Sequence, residues 1–175
     1  MGEQPPTRWR AGVTLTGHTG PVTAVAFAPD GHTLATTSWD GTVILWDPAT
    51  RNQRRTLTGH TDFVTAVAFA PDGHTLATTS WDRTVILWDP ATGNQLRTLT
   101  ARTDGVTAVA FAPDGHTLAT TNWDGTVRLW DPATGAPLAA LSLGAPVTGC
   151  GWAPSVALLA AAFGRDVSVF SIERR

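Results

Sequence analysis

Short hydrophobic runs, broken at even intervals by proline, glycine and aspartate, set the pattern of this chain. Val22–Phe27 is apolar and ends at Ala28-Pro29-Asp30-Gly31, where Pro and Gly stand in turn-compatible places. Thr33–Trp39 is rich in threonine and ends at Trp39-Asp40-Gly41. Val43–Trp46 is stopped by Asp47-Pro48-Ala49-Thr50, and the more polar Arg54–Thr58 ends at Gly59. No window long enough for a helix carries a 3.6-residue period, so the pattern predicts four short strands. The first three are apolar on both faces, as in a sheet covered on both sides. Ala24, Ala26 and Ala35 keep one face thin enough for another sheet to lie close. The fourth carries Gln and Arg, as an outer edge in water does.

The same unit recurs with a period of 42: Trp46 is followed by Trp88 and Trp130, and Asp30 by Asp72 and Asp114. Residues 17–58 and 59–100 differ only at Gly20/Asp62, Pro21/Phe63, Gly41/Arg83, Arg51/Gly93 and Arg54/Leu96. Residues 101–142 form a third unit, and 143–175 a degenerate fourth that keeps the shape and loses the letters. In that fourth unit Trp152 stands for Phe111, Pro154 for Pro113, Phe163 for Trp123, Val167 for Val127 and Phe170 for Trp130. The alignment places one lost residue before Val147 and another in the turn after Pro154. Each unit reads as a four-stranded antiparallel sheet that needs a neighbour on both faces, and radial repetition of such sheets is a β-propeller.

Composition narrows the function. The chain has 175 residues, 42% hydrophobic and 15% charged, with net charge −2, and all of its 12 basic residues are Arg. That balance lacks the electrostatic footprint of a nucleic-acid binder. The single Cys150 cannot make an internal disulfide and fits a reducing, cytoplasmic setting. No run approaches the roughly 18 apolar residues of a membrane span, so no membrane partner is expected.

Gly17-His18, Ser38-Trp39-Asp40 and Leu45-Trp46-Asp47, repeated as Gly59-His60, Ser80-Trp81-Asp82 and Leu87-Trp88-Asp89, resemble the WD-repeat family. The third unit has Ala101-Arg102 and Asn122 in place of Gly-His and Ser, while keeping Asp124 and Trp130; the fourth keeps none of His, Asp and Trp. The resemblance implies an all-β propeller and assigns His18, Ser38, Asp40 and Trp46 to a structural network. The same holds for His60, Ser80, Asp82 and Trp88. That network would tie the turn between second and third strands to the loop leading into the first. A Ser–His–Asp hydrolase triad is set aside, because two units carry the set identically and a catalytic site needs one special copy. Near-identical repeats rich in Ala, Thr and Arg also resemble bacterial members of the family.

His32, His74 and His116 sit at the tips of separate hairpins, so they read as solvated turn residues rather than as metal ligands. Cys150 reads as a buried, inert thiol. No catalytic residue, metal site or cofactor is expected. Trp39, Trp81 and Trp123, with Phe163 in the fourth unit, are the candidates for binding. The resemblance implies that their position faces partners at the top of the ring, with simple packing between units as the competing reading. Phe63 and Arg83, which break the near-identity of the first two units, would extend the row and add charge selectivity.

Four units are few for a ring: eight blades leave about 45° each, four about 90°. Residues 10–16, after a tail at 1–9, align with the outer strand Gln53–Thr58 (Leu15 on Leu57), whereas the fourth unit stops at the equivalent of a third strand. The expected architecture is a half-ring of four blades. Two chains would form an eight-bladed homodimer in which residues 10–16 of each complete the other's last blade. The expected function is a non-catalytic scaffold for a protein or peptide. The alternatives are a regulatory or sensor domain of a larger bacterial signalling protein and, less favoured, a propeller enzyme.

Overall fold

The computed structural model describes residues 12–101 and 104–173. Four antiparallel sheets follow one another along the chain. The first holds β1 (Val22–Phe27), β2 (Leu34–Ser38), β3 (Thr42–Trp46) and β4 (Gln53–Thr58). The second holds β5 (Val64–Phe69), β6 (Leu76–Ser80), β7 (Thr84–Trp88) and β8 (Gln95–Thr100), and the third β9 (Val106–Phe111), β10 (Leu118–Asn122), β11 (Thr126–Trp130) and β12 (Pro137–Ser142). The fourth has three strands, β13 (Val147–Trp152), β14 (Leu158–Phe163) and β15 (Asp166–Ser171). Of the predicted outer strand 10–16, residues 10 and 11 lie outside the described residues, and 12–16 form no strand.

Successive sheets lie face to face, with β1 beside β5, β5 beside β9 and β9 beside β13. The core is therefore a series of slabs between sheets. Ala35, Val43, Leu45 and Leu57 of the first sheet meet Val64, Leu76, Ile86 and Trp88 of the second. Ala77, Val85, Leu87 and Leu99 meet Val106, Leu118 and Trp130 in the same way, and Ala119, Val127 and Leu129 meet Val147 and Leu159. Each fully buried Leu or Val contributes about 1.5–3 kcal/mol over an exposed one. The small Ala35, Ala77 and Ala119 let the facing sheet come close enough to exclude water.

A β-bulge opens every first strand. Val22 pairs with Ser38 and Ala24 with Thr37, which leaves Thr23 unpaired in the ladder; Thr65, Thr107 and Thr148 repeat this. A bulge re-aims its extra residue, and here the hydroxyl reaches the next sheet. Thr23 Oγ1 donates to the Val64 carbonyl at 2.6 Å, Thr65 to Val106 at 2.6 Å and Thr107 to Val147 at 2.5 Å.

The fourth sheet corrects the alignment drawn from sequence. Val147 pairs with Phe163 as Val106 pairs with Asn122, and Trp152 pairs with Leu159 as Phe111 does with Leu118. The residue missing from this unit is therefore in the turn between β14 and β15, not in the turn after Pro154. Phe163 takes the place of Asn122, so no residue of the fourth sheet corresponds to the tip residue Trp123.

Candidate functional site

The β2–β3 turns and the loops leading into β1, β5 and β9 share one end of the stack. The chemistry that shapes this end is a hydrogen-bond relay. In the first sheet the Trp46 indole N–H donates to Thr36 Oγ1 at 2.8 Å, and Thr36 Oγ1 lies 2.8 Å from His18 Nε2. His18 Nδ1 lies 2.9 Å from Asp40 Oδ2, and because a carboxylate only accepts, Nδ1 carries the proton. Asp40 also accepts the Thr19 N–H at 2.9 Å, the Thr42 N–H at 2.9 Å and the Thr42 hydroxyl at 2.7 Å. The turn is thereby pinned to the incoming loop. The second sheet repeats the relay through Trp88, Thr78, His60 and Asp82.

Ser38 joins the network at the turn itself, and Ser80 in addition donates to the Asp62 carbonyl of the incoming loop at 3.2 Å. Ser38 Oγ accepts the Asp40 N–H at 3.1 Å, as Ser80 accepts that of Asp82 at 3.0 Å, so each serine caps the turn and takes no part in the path from Trp46. The hydroxyl in that path belongs to Thr36, Thr78 or Thr120, in the middle of the second strand. Alternation along β2 was the available signal: Thr36 and Ser38 share a face, and Thr36 lies opposite Ile44, deeper in the sheet beside Trp46.

Burial by itself pushes Asp40 and Asp82 up. The hydrogen bonds they accept outweigh it, from Thr42, Thr19 and His18 in one case and from His60, Thr84 and Thr61 in the other. Both carboxyls lie well below the usual range. In the third sheet Trp130 still donates to Thr120 at 2.9 Å, and Asp124 still accepts from the Thr126 N–H and hydroxyl. Asn122 instead gives its Nδ2 to Thr126 Oγ1 at 3.1 Å, and its Oδ1 is buried with no hydrogen-bond partner among the described residues. In the fourth sheet Ala161 pairs with Cys150 where Thr120 pairs with Val109, and Phe170 fills the Trp130 place, so the relay has lost its hydroxyl and its indole.

On the rim of this frame stand the tip tryptophans. Trp39, Trp81 and Trp123 are 40–51% exposed and Phe63 is 42% exposed. Each tip is fixed by a 3.0 Å backbone bond to its own incoming loop: Trp39 to Pro21, Trp81 to Phe63 and Trp123 to Gly105. The rings fall into two pairs. Trp39 stacks on Phe63 at a centroid distance of 5.1 Å and 20° between planes, and Trp81 leans on Trp123 at 5.8 Å and 47°. Gly105 is the reason for the difference. A Cβ there would lie 2.5 Å from Trp81 Cε3, so the ring rests on bare backbone where Phe63 props up Trp39.

Arg83 is exposed and holds a left-handed φ of 69°, where Gly41 and Gly125 have 80° and 84°. Such a backbone costs a non-glycine residue about 1–2 kcal/mol, and strain of this kind gathers at functional positions. Phe163 is not on the rim: it is half-buried against the slab formed by Val147, Leu159 and their neighbours.

The other candidates stay apart. His32, His74 and His116 are exposed at the opposite end, where their backbone N–H groups are held by Asp30, Asp72 and Asp114. Among the described residues no group of three His, Cys, Asp or Glu gathers to hold a metal ion, and no helix is long and apolar enough to cross a membrane. Desolvation pushes the Cys150 thiol up to about 12, which leaves it a poor nucleophile.

Sheets of one repeated pattern stacked through their faces, the first two pinned by a complete Trp–Thr–His–Asp relay and the third by its Trp–Thr and Asp parts, define a propeller-type repeat protein. The WD domain, G-beta repeat family matches residues 9–47, 51–89 and 93–131, and the chain belongs to that family. Proteins of this fold typically act as scaffolds that bind proteins or peptides, and they are generally non-catalytic. The solved structure of U3-55K superposes with a TM-score of 0.85 at 25% identity, covering 90% of this chain and 51% of that one. The RRP9 WD40 repeats give the same score and identity, with 50% of that chain covered. Among curated proteins, a 38-residue stretch is 58% identical to NAD(+) hydrolase ApTIR of Actinoplanes sp., covering 22% of this chain and 5% of that protein. A 46-residue stretch is 52% identical to Protein Mut11 of Chlamydomonas reinhardtii, covering 26% and 12%. The chain thus spans about half of the similar structures and a small part of the curated relatives.

Proposed function

We propose that this chain is a non-catalytic scaffold that takes a protein or peptide on the rim formed by Trp39, Phe63, Trp81, Trp123 and Arg83. One observation carries the reading: four large aromatic side chains stand 40–51% exposed on one end, although the same chain buries Trp46, Trp88 and Trp130 completely enough to use every indole N–H. Exposed aromatic groups beside an Arg are what binding centres are made of. An enzyme would need ionisable groups special to one blade, whereas the His and Asp groups of the relay recur. Selection of displayed peptides on the wild type, followed by binding measurements with the Trp39/Trp81/Trp123→Ala variant, tests this. The reading predicts at least a tenfold loss of affinity, and undiminished binding by the variant overturns it.

A second reading, a regulatory or sensor domain of a larger bacterial signalling protein, is favoured by the stretch similar to NAD(+) hydrolase ApTIR and by the Lys-free, Ala/Thr/Arg-rich composition. A catalytic domain encoded in the same reading frame would establish it. In either reading we place the protein in a bacterial cytoplasm, where one unpaired thiol is at home. We also take the chain to be a half-ring that closes as a homodimer by exchange of residues 10–16.

A further inference from the structure

The three internal junctions show what covers each face of a sheet, and the two end sheets leave the corresponding faces bare. Val64 and Val106 are 0% exposed under the preceding sheet, while their counterpart Val22 is 55% exposed. Val25 and Phe27, the counterparts of Val67 and Phe69, lie open beside it. At the other end Val127 is 4% exposed between the third and fourth sheets, and its counterpart Val167 is 66% exposed, with Val169 next to it. These are the two halves of one junction, held at opposite ends of the same chain.

The hydrogen bond that marks each junction is likewise left half made. Thr23, Thr65 and Thr107 each reach the first-strand carbonyl of the following sheet. Thr148 is the fourth bulge residue of the series, is exposed, and among the described residues reaches the Ala162 carbonyl at 3.5 Å. The atom that would receive it in a fifth sheet corresponds to the Val22 carbonyl, since Val22 pairs with Ser38 as Val64 pairs with Ser80.

The strand edges match in the same way. Among the described residues β15 has no outer partner, and residues 12–16 precede β1 without joining a strand. They stand where Gln53–Thr58 stands before β5, with Leu15 at the place of the buried Leu57. Leu57 and Leu99 are covered by the turns at Gly93 and Gly135 of the next sheet, and a Cβ on these glycines would lie 3.4 and 3.2 Å from them. Leu141, the counterpart of Leu57 and Leu99, is exposed, and no such turn covers it among the described residues.

We infer that the bare flank of the first sheet, Val22, Val25 and Phe27, docks on the bare flank of the fourth sheet, Val167 and Val169, of a second copy of this chain. Residues 12–16 add to β15 of that copy, and Thr148 donates to the carbonyl of the partner's Val22. The inference deepens the scaffold reading by naming the joint, and it fixes the sense of association as head to tail. Each interface is then used once in a closed pair. The counterparts of both flanks pack on one another at three junctions within the chain. An isologous pairing of first flank with first flank has no precedent in the chain.

The test is the mass in solution at micromolar concentration for the wild type, for Val25→Asp and for Val169→Asp, with far-ultraviolet circular dichroism confirming that each stays folded. The wild type is expected at about twice the 18.4 kDa of one chain. Each variant alone is expected to raise the dimer dissociation constant at least tenfold. Mixing the two variants restores association, because the mixed pair keeps one joint whose two flanks are both intact. A wild-type mass of one chain overturns the inference. So does a Val169→Asp chain that dimerises normally, or variants that dissociate and are not rescued by mixing. The Trp39/Trp81/Trp123→Ala variant keeps the dimer mass, so failure of the joint and failure of the rim are read separately.

Discussion

The Trp46 indole gives its only polar hydrogen to Thr36 across 2.8 Å, and Thr36 stands 2.8 Å from the imidazole of His18. One buried hydroxyl therefore satisfies two aromatic side chains, one from β3 and one from the loop before β1. Thr36→Val keeps the shape and removes the hydroxyl, orphaning an indole N–H and an imidazole nitrogen. Each buried unsatisfied group costs about 1–3 kcal/mol. Thr36→Val and Thr78→Val should each lower the urea midpoint strongly with an unchanged slope. Ser38→Ala, which loses only a turn cap, should cost about 1 kcal/mol. Equal losses for Thr36→Val and Ser38→Ala would show that the relay does not run through the threonine.

The same relay sets the response to acid. Asp40 and Asp82 bind protons less readily when folded than at the ordinary carboxylate value of 3.8. The unfolded chain then takes up more protons, and stability rises with pH through this region. The contribution is complete above the ordinary value and drains as the pH falls from there toward the depressed native one. Asp40→Asn and Asp82→Asn should lower stability at pH 7 by on the order of 2 kcal/mol each. The gap between each variant and the wild type should narrow steadily as the pH falls from about 4 toward 2. Denaturant titrations from pH 2 to 7 check it, and parallel acid limbs in variant and wild type would contradict it.

Repetition explains how much of this was legible. A 42-residue period, turn dipeptides and threonine-rich runs placed all four strands of the repeated sheet within about a residue, because a pattern read three times corrects its own ambiguities. Two features escaped. The family resemblance names Ser38 but not Thr36, and only the strand's alternation carries the Thr36 hydroxyl deeper beside Trp46. Phe163 was aligned with the tip tryptophans because both are aromatic. Pairing with Val147 decides its place, and pairing is a long-range property that letters do not carry once the repeat has drifted. The stack of Trp39 on Phe63 and the seat of Trp81 on Gly105 depend on neighbouring sheets, so their geometry emerges only from the packed chain.

The third sheet carries a repairable defect. Asn122 replaces the Ser80 of its neighbour, and its side-chain carbonyl is buried without a partner among the described residues. Asn122→Ser should give Asp124 the backbone cap that Ser38 gives Asp40 and remove the orphaned oxygen. The expected gain is about 1 kcal/mol, read as a rise in the denaturant midpoint. Two sister sheets already accommodate Ser at this register, so a loss of stability would mean that the unpaired oxygen has another role in holding the third sheet.

Arg83 and Arg51 form a matched pair of strained residues, with φ of 69° and 65° where other repeats place glycine. Arg83 sits in the turn after Trp81, on the aromatic end, while Arg51 sits in the β3–β4 turn at the opposite end. Arg83→Gly and Arg51→Gly should each relieve about 1 kcal/mol of left-handed strain, offset in part by the greater freedom that glycine gives the unfolded chain. Their effects on melting temperature should therefore be alike. Their effects on binding should not. If Arg83 reads charge on a ligand held by the tryptophans, Arg83→Gly weakens that ligand severalfold and steepens the loss for acidic peptides, while Arg51→Gly leaves it unchanged. Equal binding by both variants would reduce Arg83 to a strained turn residue, because the one property separating the two arginines is which end of the stack they face.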